Sequence, residues 1–221
     1  MNTEPAGATT AITRIISMRS TIRRYVVTLA MIFFALSVAP AQADFQKGFD
    51  AFNRGDYAVA IKEWRSLAER GDPNAQFYVG HMYHDGLSVA QNYREAAKWF
   101  RRAAENGSTK AQQRLGALYK NGLGVSQDYA EAAKWYRKAA EQGNFYAQNN
   151  LGFMYGKGQG VPQDYVQAHM WFNLATSRLP PGTARDKAVE NRDIAAKLMT
   201  PAQIAEAQRL AREWKPKKER P

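Results

Sequence analysis

The sequence contains no cysteine, so disulfide bonds and thiolate metal sites are excluded from the whole chain. Histidine is scarce, with three residues among 221, and no serine, histidine and aspartate are spaced like a nucleophilic triad. Nothing in the sequence calls for a cofactor or a bound metal. The net charge is +11 at pH 7, and charge of this kind is usually carried by a solvated face.

Residues 1–43 have the layout of a secretory signal peptide, in which arginines precede an apolar run and small residues follow it. The apolar run, residues 25–39, covers about 15 residues, which is short of the ~20 that span a bilayer. We expect translation to start at Met18 and cleavage to follow Ala43, with a retained membrane anchor as the alternative. The mature protein would be periplasmic or secreted, without an integral membrane span. The arginines are Arg19, Arg23 and Arg24.

The positive charge is spread over the chain and its C-terminal end. Residues 1–43 contain four arginines and one glutamate, so the mature chain keeps a net charge of +8. The basic tail "KPKKERP", residues 215–221, is expected to be disordered. Because an exported protein rarely meets nucleic acid, we expect no nucleic-acid partner. Acidic lipid, cell-wall material or protein fits the charge better.

The sequence repeats itself with a period of 36 residues, and this period indicates the fold class. The phrase "DYAEAAKWYRKAAEQG" at residues 128–143 follows "NYREAAKWFRRAAENG" at residues 92–107. Residues 92–127 match residues 128–163 at 20 of 36 positions without a gap. Each period is long enough for one pair of helices, and stacked pairs bury faces that a single pair leaves open.

The phrase at residues 128–143 predicts the second helix of a pair. Its apolar positions follow i, i+3, i+4, i+7, i+10 and i+11, which is one stripe of an α-helix. Asp128 and Glu131 form a capping-box-like pair at its start, and Gly143 is placed for a left-handed residue at its end.

The phrase "AQNNLGFMYGKG" at residues 147–158 predicts the first helix of a pair. Gly152 lies in the middle of it, where glycine costs about 1 kcal/mol relative to alanine, and we expect a partner backbone to pack there. The following "GxGV" loops predict glycines with positive φ. The loop that carries Ser88 at the second glycine position is expected to differ slightly.

The period divides the mature chain into an all-α architecture. Residues 44–72 form a divergent first pair, and three repeats follow at residues 73–108, 109–144 and 145–178. The period breaks at "RLPPGT", and residues 179–214 predict two helices that cap the open end of the stack. Thr200 and Gln203, with proline between them, are a strong start signal for the last helix.

The phrases "AQNNLGFMYGKGQGVPQDYVQAHMWF" and "AEAAKWYRKAAEQGN" resemble the Sel-one-like repeat family, a branch of the tetratricopeptide superfamily. The likeness covers roughly residues 44–177. It implies a right-handed α-α superhelix, a solenoid whose concave groove is lined by the first helix of each pair. It also implies an adaptor role toward a protein or peptide. A cysteine-rich bacterial branch is linked to β-lactam hydrolysis, but its disulfide in each repeat is absent here.

Two sets of residues allow a chemical interpretation beside a structural one. Asp128 and Glu131 could act as an acid–base pair, but they recur with the period, which favours capping over the singular geometry of catalysis. His81 and His84 share one helical face beside Asp85 and could hold a metal. No fourth ligand has similar spacing, so exposed polar side chains are the favoured interpretation.

Residues that contact a ligand are expected on the face of each first helix that does not pack. Scaffold positions repeat from copy to copy, whereas these positions vary strongly. They are Phe77, His81 and His84 in the first full repeat, Gln113, Ala117 and Lys120 in the second, and Asn149, Phe153 and Gly156 in the third. An extended peptide with a negative group suits such a surface.

The sequence therefore predicts a non-enzymatic periplasmic scaffold that binds a protein or peptide of the bacterial envelope as adaptor or regulator, and its basic charge favours an acidic partner. A hydrolase acting on cell-wall material or β-lactams is the first alternative. A metal-dependent module using His81 and His84 is the second.

Overall fold

The computed structural model describes residues 45–217, which fold into ten helices without a β-strand. The predicted signal peptide, residues 1–43, lies outside this described range. From Gly48 onwards the helices belong to one compact unit. The helices are α1 (45–53), α2 (Tyr57–Glu69), α3 (Pro73–Asp85), α4 (Tyr93–Glu105), α5 (Thr109–Asn121), α6 (Tyr129–Glu141), α7 (Phe145–Lys157), α8 (Tyr165–Thr176), α9 (Thr183–Lys197) and α10 (Pro201–Glu213).

Successive helices pack against each other from α2 through to α8, and α9 and α10 both pack on α8. We call α1, α3, α5 and α7 the first helices and α2, α4, α6 and α8 the second helices. This succession confirms the predicted all-α solenoid of helix pairs with C-terminal capping helices. Within the described range, every helix is too short or too polar to traverse a lipid bilayer.

The glycine in the middle of each first helix faces an aromatic ring. At Gly152 the expected partner backbone is present as well, because an added Cβ would lie 3.1 Å from the carbonyl oxygen of Ala168. A Cβ on Gly116 would lie 2.9 Å from Cδ1 of Tyr136, and a Cβ on Gly80 would lie 2.8 Å from Cδ1 of Phe100. The other pairs are Gly48 with Trp64 and Gly152 with Phe172. The helix-propensity cost of each glycine, about 1 kcal/mol, is thereby offset by burying a large ring against the helix.

Asp128 begins α6 as predicted. Its Oδ1 accepts hydrogen bonds from the backbone N–H groups of Ala130 and Glu131, both at 2.9 Å. The reciprocal half of a capping box does not form, because the backbone N–H of Asp128 donates to the carbonyl of Tyr119 at 3.0 Å. The Glu131 carboxylate instead accepts from Lys134 at 2.9 Å. These contacts support the capping interpretation of the recurring acidic pair.

The loops after the first helices bring neighbouring repeats into contact. Gly122 and Gly124 have φ values of 66° and 72°, which confirms the predicted positive φ. A Cβ on Gly124 would lie 2.2 Å from the carbonyl oxygen of Tyr93. Ser88 was expected to alter its loop, but its φ of 58° is in the same left-handed region. A non-glycine residue there costs about 1–2 kcal/mol.

A buried glutamine in each of α3, α5 and α7 joins its helix to the second helix that precedes it, and the sequence analysis missed it. In the middle repeat, Nε2 of Gln112 donates to the carbonyl of Ala104 at 3.1 Å, and its Oε1 accepts from Gln142 at 2.9 Å. Gln76 and Gln148 donate to Ala68 and Ala140 in the same way. These bonds satisfy carbonyls at the C-terminal ends of the second helices, which lack intrahelical partners.

The basic end of the chain departs from the prediction of a disordered segment starting at Lys215. The backbone N–H of Lys217 donates to the carbonyl of Glu141 at 2.8 Å, and its Nζ lies 2.9 Å from the same residue's carboxylate. Lys217 thus satisfies a carbonyl at the end of α6, where the helix dipole favours a cation. The prediction is corrected for residues 215–217, and residues 218–221 lie outside the described range.

Candidate functional site

The predicted ligand-contacting residues lie on the first helices α3, α5 and α7, and we call this surface the groove face. Eight of the nine are half-buried. Phe77 differs from the expectation, because it is 8% exposed and its ring centroid lies 5.7 Å from that of Phe100. Its large ring reaches α4 and joins the core, so it is not on an unpacked surface. The half-buried residues are His81, His84, Gln113, Ala117, Lys120, Asn149, Phe153 and Gly156.

At the α3 end of the groove face, two imidazoles flank one carboxylate. Nδ1 of His84 lies 2.5 Å from Oδ1 of Asp85, and Nδ1 of His81 lies 3.3 Å from Oδ2, without hydrogen-bond geometry. Burial lowers the pKa of His81; Asp85 opposes this shift and the Arg114 cation adds to it. Among residues 45–217, no three or more histidine, aspartate or glutamate side chains are grouped to hold a metal.

Between α5 and α7, residues of two successive repeats meet on the groove face. Nζ of Lys120 lies 5.7 Å from the ring centroid of Phe153, within the range of a cation–π interaction. The amide oxygen of Asn149 is buried without a hydrogen-bond partner among the described residues. Lys120 and Phe153, at positions that differ between copies, therefore meet on one surface.

The groove face carries cations that no described carboxylate neutralises. Arg114, Lys120 and Lys157 form no ion pair with residues 45–217, whereas Asp85 already faces two imidazoles. Arg114 was missed by the sequence analysis, although the corresponding positions in the neighbouring copies, Tyr78 and Asn150, show that this site also varies. The face is therefore electrostatically suited to a negatively charged ligand.

A cavity of about 200 Å³ opens where the groove face meets the C-terminal cap. Phe153 contributes to its wall, and α9 supplies Ile194 and Leu198, which are 49% and 57% exposed. Sequence periodicity could not find the α9 residues because α9 lies beyond the repeats. Two large aliphatic residues four apart on an otherwise polar helix were the available signal. The cavity is lined by Phe153, Gly156, Lys157, Gln163, Tyr165, Phe172, Asn191, Ile194, Ala195 and Leu198.

The remaining histidine and two tryptophans are buried. His169 is 4% exposed and its Nδ1 lies 3.1 Å from the side-chain nitrogen of Asn173. Burial, together with the nearby Arg192 cation, lowers the pKa of His169. Trp135 and Trp171 are 4% and 6% exposed, whereas Trp99, at the corresponding position of the first full repeat, is half-buried.

Comparison with known proteins agrees with this geometry. The model of the Sel1 repeat matches residues 73–108, 109–144 and 145–178. A Sel1 repeat protein from Oxalobacter formigenes is 36% identical over 61% of this chain and 97% of its own, with a TM-score of 0.54. No match was found among curated protein sequences.

A second solved structure is c5321, a protective antigen present in uropathogenic Escherichia coli strains and displaying an SLR fold. It is 31% identical over 79% of this chain, with a TM-score of 0.55, and this chain spans 45% of its length. Sel1 repeat proteins are in general non-catalytic scaffolds that bind other proteins. On its three matched repeats and its helix pairs, the chain belongs to the Sel1 repeat family.

Proposed function

We propose that this protein is an exported scaffold that holds a protein or peptide of the bacterial envelope against its groove face, as adaptor or regulator. The layout of residues 1–43 supports export, and the family supports protein binding. The unpaired cations of the groove face favour a ligand that carries negative charge.

The contact between Lys120 and Phe153 carries this proposal. It joins α5 to α7 at positions whose residues differ between copies, while the neighbouring scaffold positions keep Gln112 and Gln148 in the same buried role. A surface that varies while its support repeats is what a ligand-specific site on a solenoid requires.

Photo-crosslinking in living cells tests the surface. A photoreactive amino acid is placed at Ala117 or Asn149 on the groove face, and at Lys134 on the exposed side of α6 as the matched control. We expect one envelope protein to be captured from both groove positions and not from Lys134. Capture from Lys134 with none from Ala117 and Asn149 would contradict the groove assignment.

Export has its own test. Cell fractionation should find the protein in the periplasm or the medium, and N-terminal sequencing of that material should begin at Asp44. A protein that stays in the membrane fraction with residues 25–39 intact would support the retained anchor instead.

The non-enzymatic part of the proposal is tested with purified mature protein. We expect no turnover of β-lactams or cell-wall fragments above the rate of a buffer blank. Turnover that a single substitution on the groove face abolishes would identify the chain as a hydrolase and refute the scaffold role.

A further inference from the structure

We propose that the cavity between α7, α8 and α9 is a specificity pocket for one large apolar side chain in an extended acidic peptide. The inference rests on the proposed function of the groove face and assigns the chemistry of its ligand. The pocket continues the groove face, because Phe153 belongs to both.

The walls of the pocket are suited to an aliphatic or aromatic side chain. Phe153, Phe172 and Tyr165 contribute rings, and Ile194 and Leu198 line the cavity from α9. Both aliphatic side chains are about half exposed, at 49% and 57%, although large apolar residues gain free energy when they leave water. A volume of about 200 Å³ fits one leucine- or phenylalanine-sized group and is too small for a helix.

The charges at the pocket favour a peptide in which acidic residues flank that apolar side chain. Lys157 lines the cavity, and Lys120 lies over the ring of Phe153; neither forms an ion pair within residues 45–217. No aspartate or glutamate lines the cavity. The nearby Asp193 is already bound by Arg192 at 2.7 Å.

The same charges argue against the chain itself as the occupant. A second mature copy brings a net charge of +8, and the C-terminal tail of this chain is basic. Either would place cations near Lys120 and Lys157. Arg114 adds a third cation further along the groove face, so several acidic residues of the ligand can each lie near a cation.

The test uses fluorescein-labelled peptides with blocked termini, built as Gly-Ser-Glu-Glu-Leu-Glu-Glu-Ser-Gly. One matched peptide replaces leucine by alanine, and another replaces every glutamate by glutamine. Binding to the mature protein is followed by fluorescence anisotropy. We expect the leucine peptide to bind at least about tenfold more tightly than either matched peptide, since each lacks one of the two contacts.

Protein variants locate the contact. Ile194→Asp should weaken the leucine peptide about tenfold more than it weakens the alanine peptide, on which only the added negative charge acts. Lys157→Gln should weaken the glutamate peptides and not the glutamine peptide. Val59→Asp is the matched control, because Val59 is 42% exposed on α2, away from the pocket. Circular dichroism melting curves must show that all three variants are folded.

Each result bears on a separate claim. The leucine peptide could bind Ile194→Asp as tightly as the unaltered protein but bind Ala117→Trp more weakly. That result would overturn the pocket and leave the proposed function of the groove face intact. No binding of any peptide in the series would overturn the proposed ligand chemistry, while crosslinking from Ala117 still tests the groove. A dimer seen by light scattering and abolished by Ile194→Asp would overturn the pocket in favour of self-association.

Discussion

Gly124 in one repeat lies directly against the backbone carbonyl of Tyr93 in the repeat before it. A Cβ at this glycine would stand 2.2 Å from the Tyr93 carbonyl oxygen, and the residue has a φ of 72°. Gly160 stands in the same relation to Tyr129 in the next pair of repeats. The loop glycines therefore set the distance between successive repeats.

Replacing Gly124 by alanine should destabilise the protein by more than a left-handed backbone alone explains. The φ of 72° costs alanine about 1–2 kcal/mol, and the clash with Tyr93 forces backbone movement that adds a further ~1–3 kcal/mol. Urea unfolding followed by circular dichroism measures the change. Gly55→Ala is the matched control, since its φ is 83° with no atom within 4 Å of the added Cβ. Equal losses in the two variants would contradict the close approach.

Two glycines of α7 should respond to alanine with opposite signs. A Cβ on Gly152 would meet the ring of Phe172 at 3.0 Å, whereas a Cβ on Gly156 would lie 3.8 Å from the nearest side-chain atom. Gly156→Ala should stabilise the protein by about 0.5–1 kcal/mol through helix propensity. Gly152→Ala should destabilise it by about 1–3 kcal/mol through overpacking. Thermal unfolding of both variants measures these changes. Stabilisation by Gly152→Ala would show that the Phe172 ring can move to accommodate the added methyl group.

Ser88 offers a stabilising substitution. Its φ of 58° costs about 1–2 kcal/mol for a residue with a Cβ. Glycine avoids this strain, but it loses about 0.5–1 kcal/mol more conformational entropy on folding. Ser88→Gly should therefore raise the free energy of unfolding by about 0.5–1 kcal/mol. The control is Ser126→Gly, at an exposed loop residue without positive φ, which should lower it slightly. A lower free energy of unfolding for Ser88→Gly would mean that the Ser88 hydroxyl contributes to stability.

The middle buried glutamine should matter more than the last one. Gln112→Leu removes two hydrogen bonds, one to the Ala104 carbonyl and one from the Gln142 amide. Gln148→Leu removes only the bond to the Ala140 carbonyl, because Oε1 of Gln148 has no partner among the described residues. Both carbonyls keep a bond from the backbone N–H of the glycine that follows the helix, so each lost bond costs about 0.5–1.5 kcal/mol. We expect Gln112→Leu to lower the urea midpoint more than Gln148→Leu does, and the reverse order would argue against the shared bond.

The sequence predicts the helices well because each repeat encodes the same local signals. Asp128 marks a helix start and Gly122 marks a loop whatever the neighbouring repeat does, since caps and positive φ are properties of a few adjacent residues. At Gly152 the predicted backbone contact is present at the Ala168 carbonyl, but the ring of Phe172 was missed, because periodicity shows that a contact recurs and not every group that makes it.

The candidate site is less predictable because it depends on which residues different helices bring together. Phe77 occupies a variable position, yet its ring reaches Phe100 and is buried. The pocket takes four of its ten lining residues from α9 and the residue that follows it, and α9 shares no period with α7. Ile194 and Leu198 signal an exposed apolar pair, but only the packing of α9 on α8 places that pair beside Phe153.

The stability of the protein should fall as the pH drops below neutral. Burial lowers the pKa values of His81 and His169 below their usual 6.5, so the unfolded chain binds protons at a higher pH than the folded one. The free energy of unfolding therefore decreases as the pH falls from the unfolded pKa to the lowered folded pKa. Above pH 6.5 the contribution of the two neutral histidines to stability is fully present.

Urea midpoints at pH 7.5 and pH 5.5 measure this effect, because the window lies above the usual range of carboxyl groups. The midpoint should be lower at pH 5.5 in the unaltered protein. His81→Gln and His169→Gln should each reduce the difference between the two pH values, whatever they do to stability at pH 7.5. An undiminished difference in both variants would mean that neither imidazole is harder to protonate in the folded state.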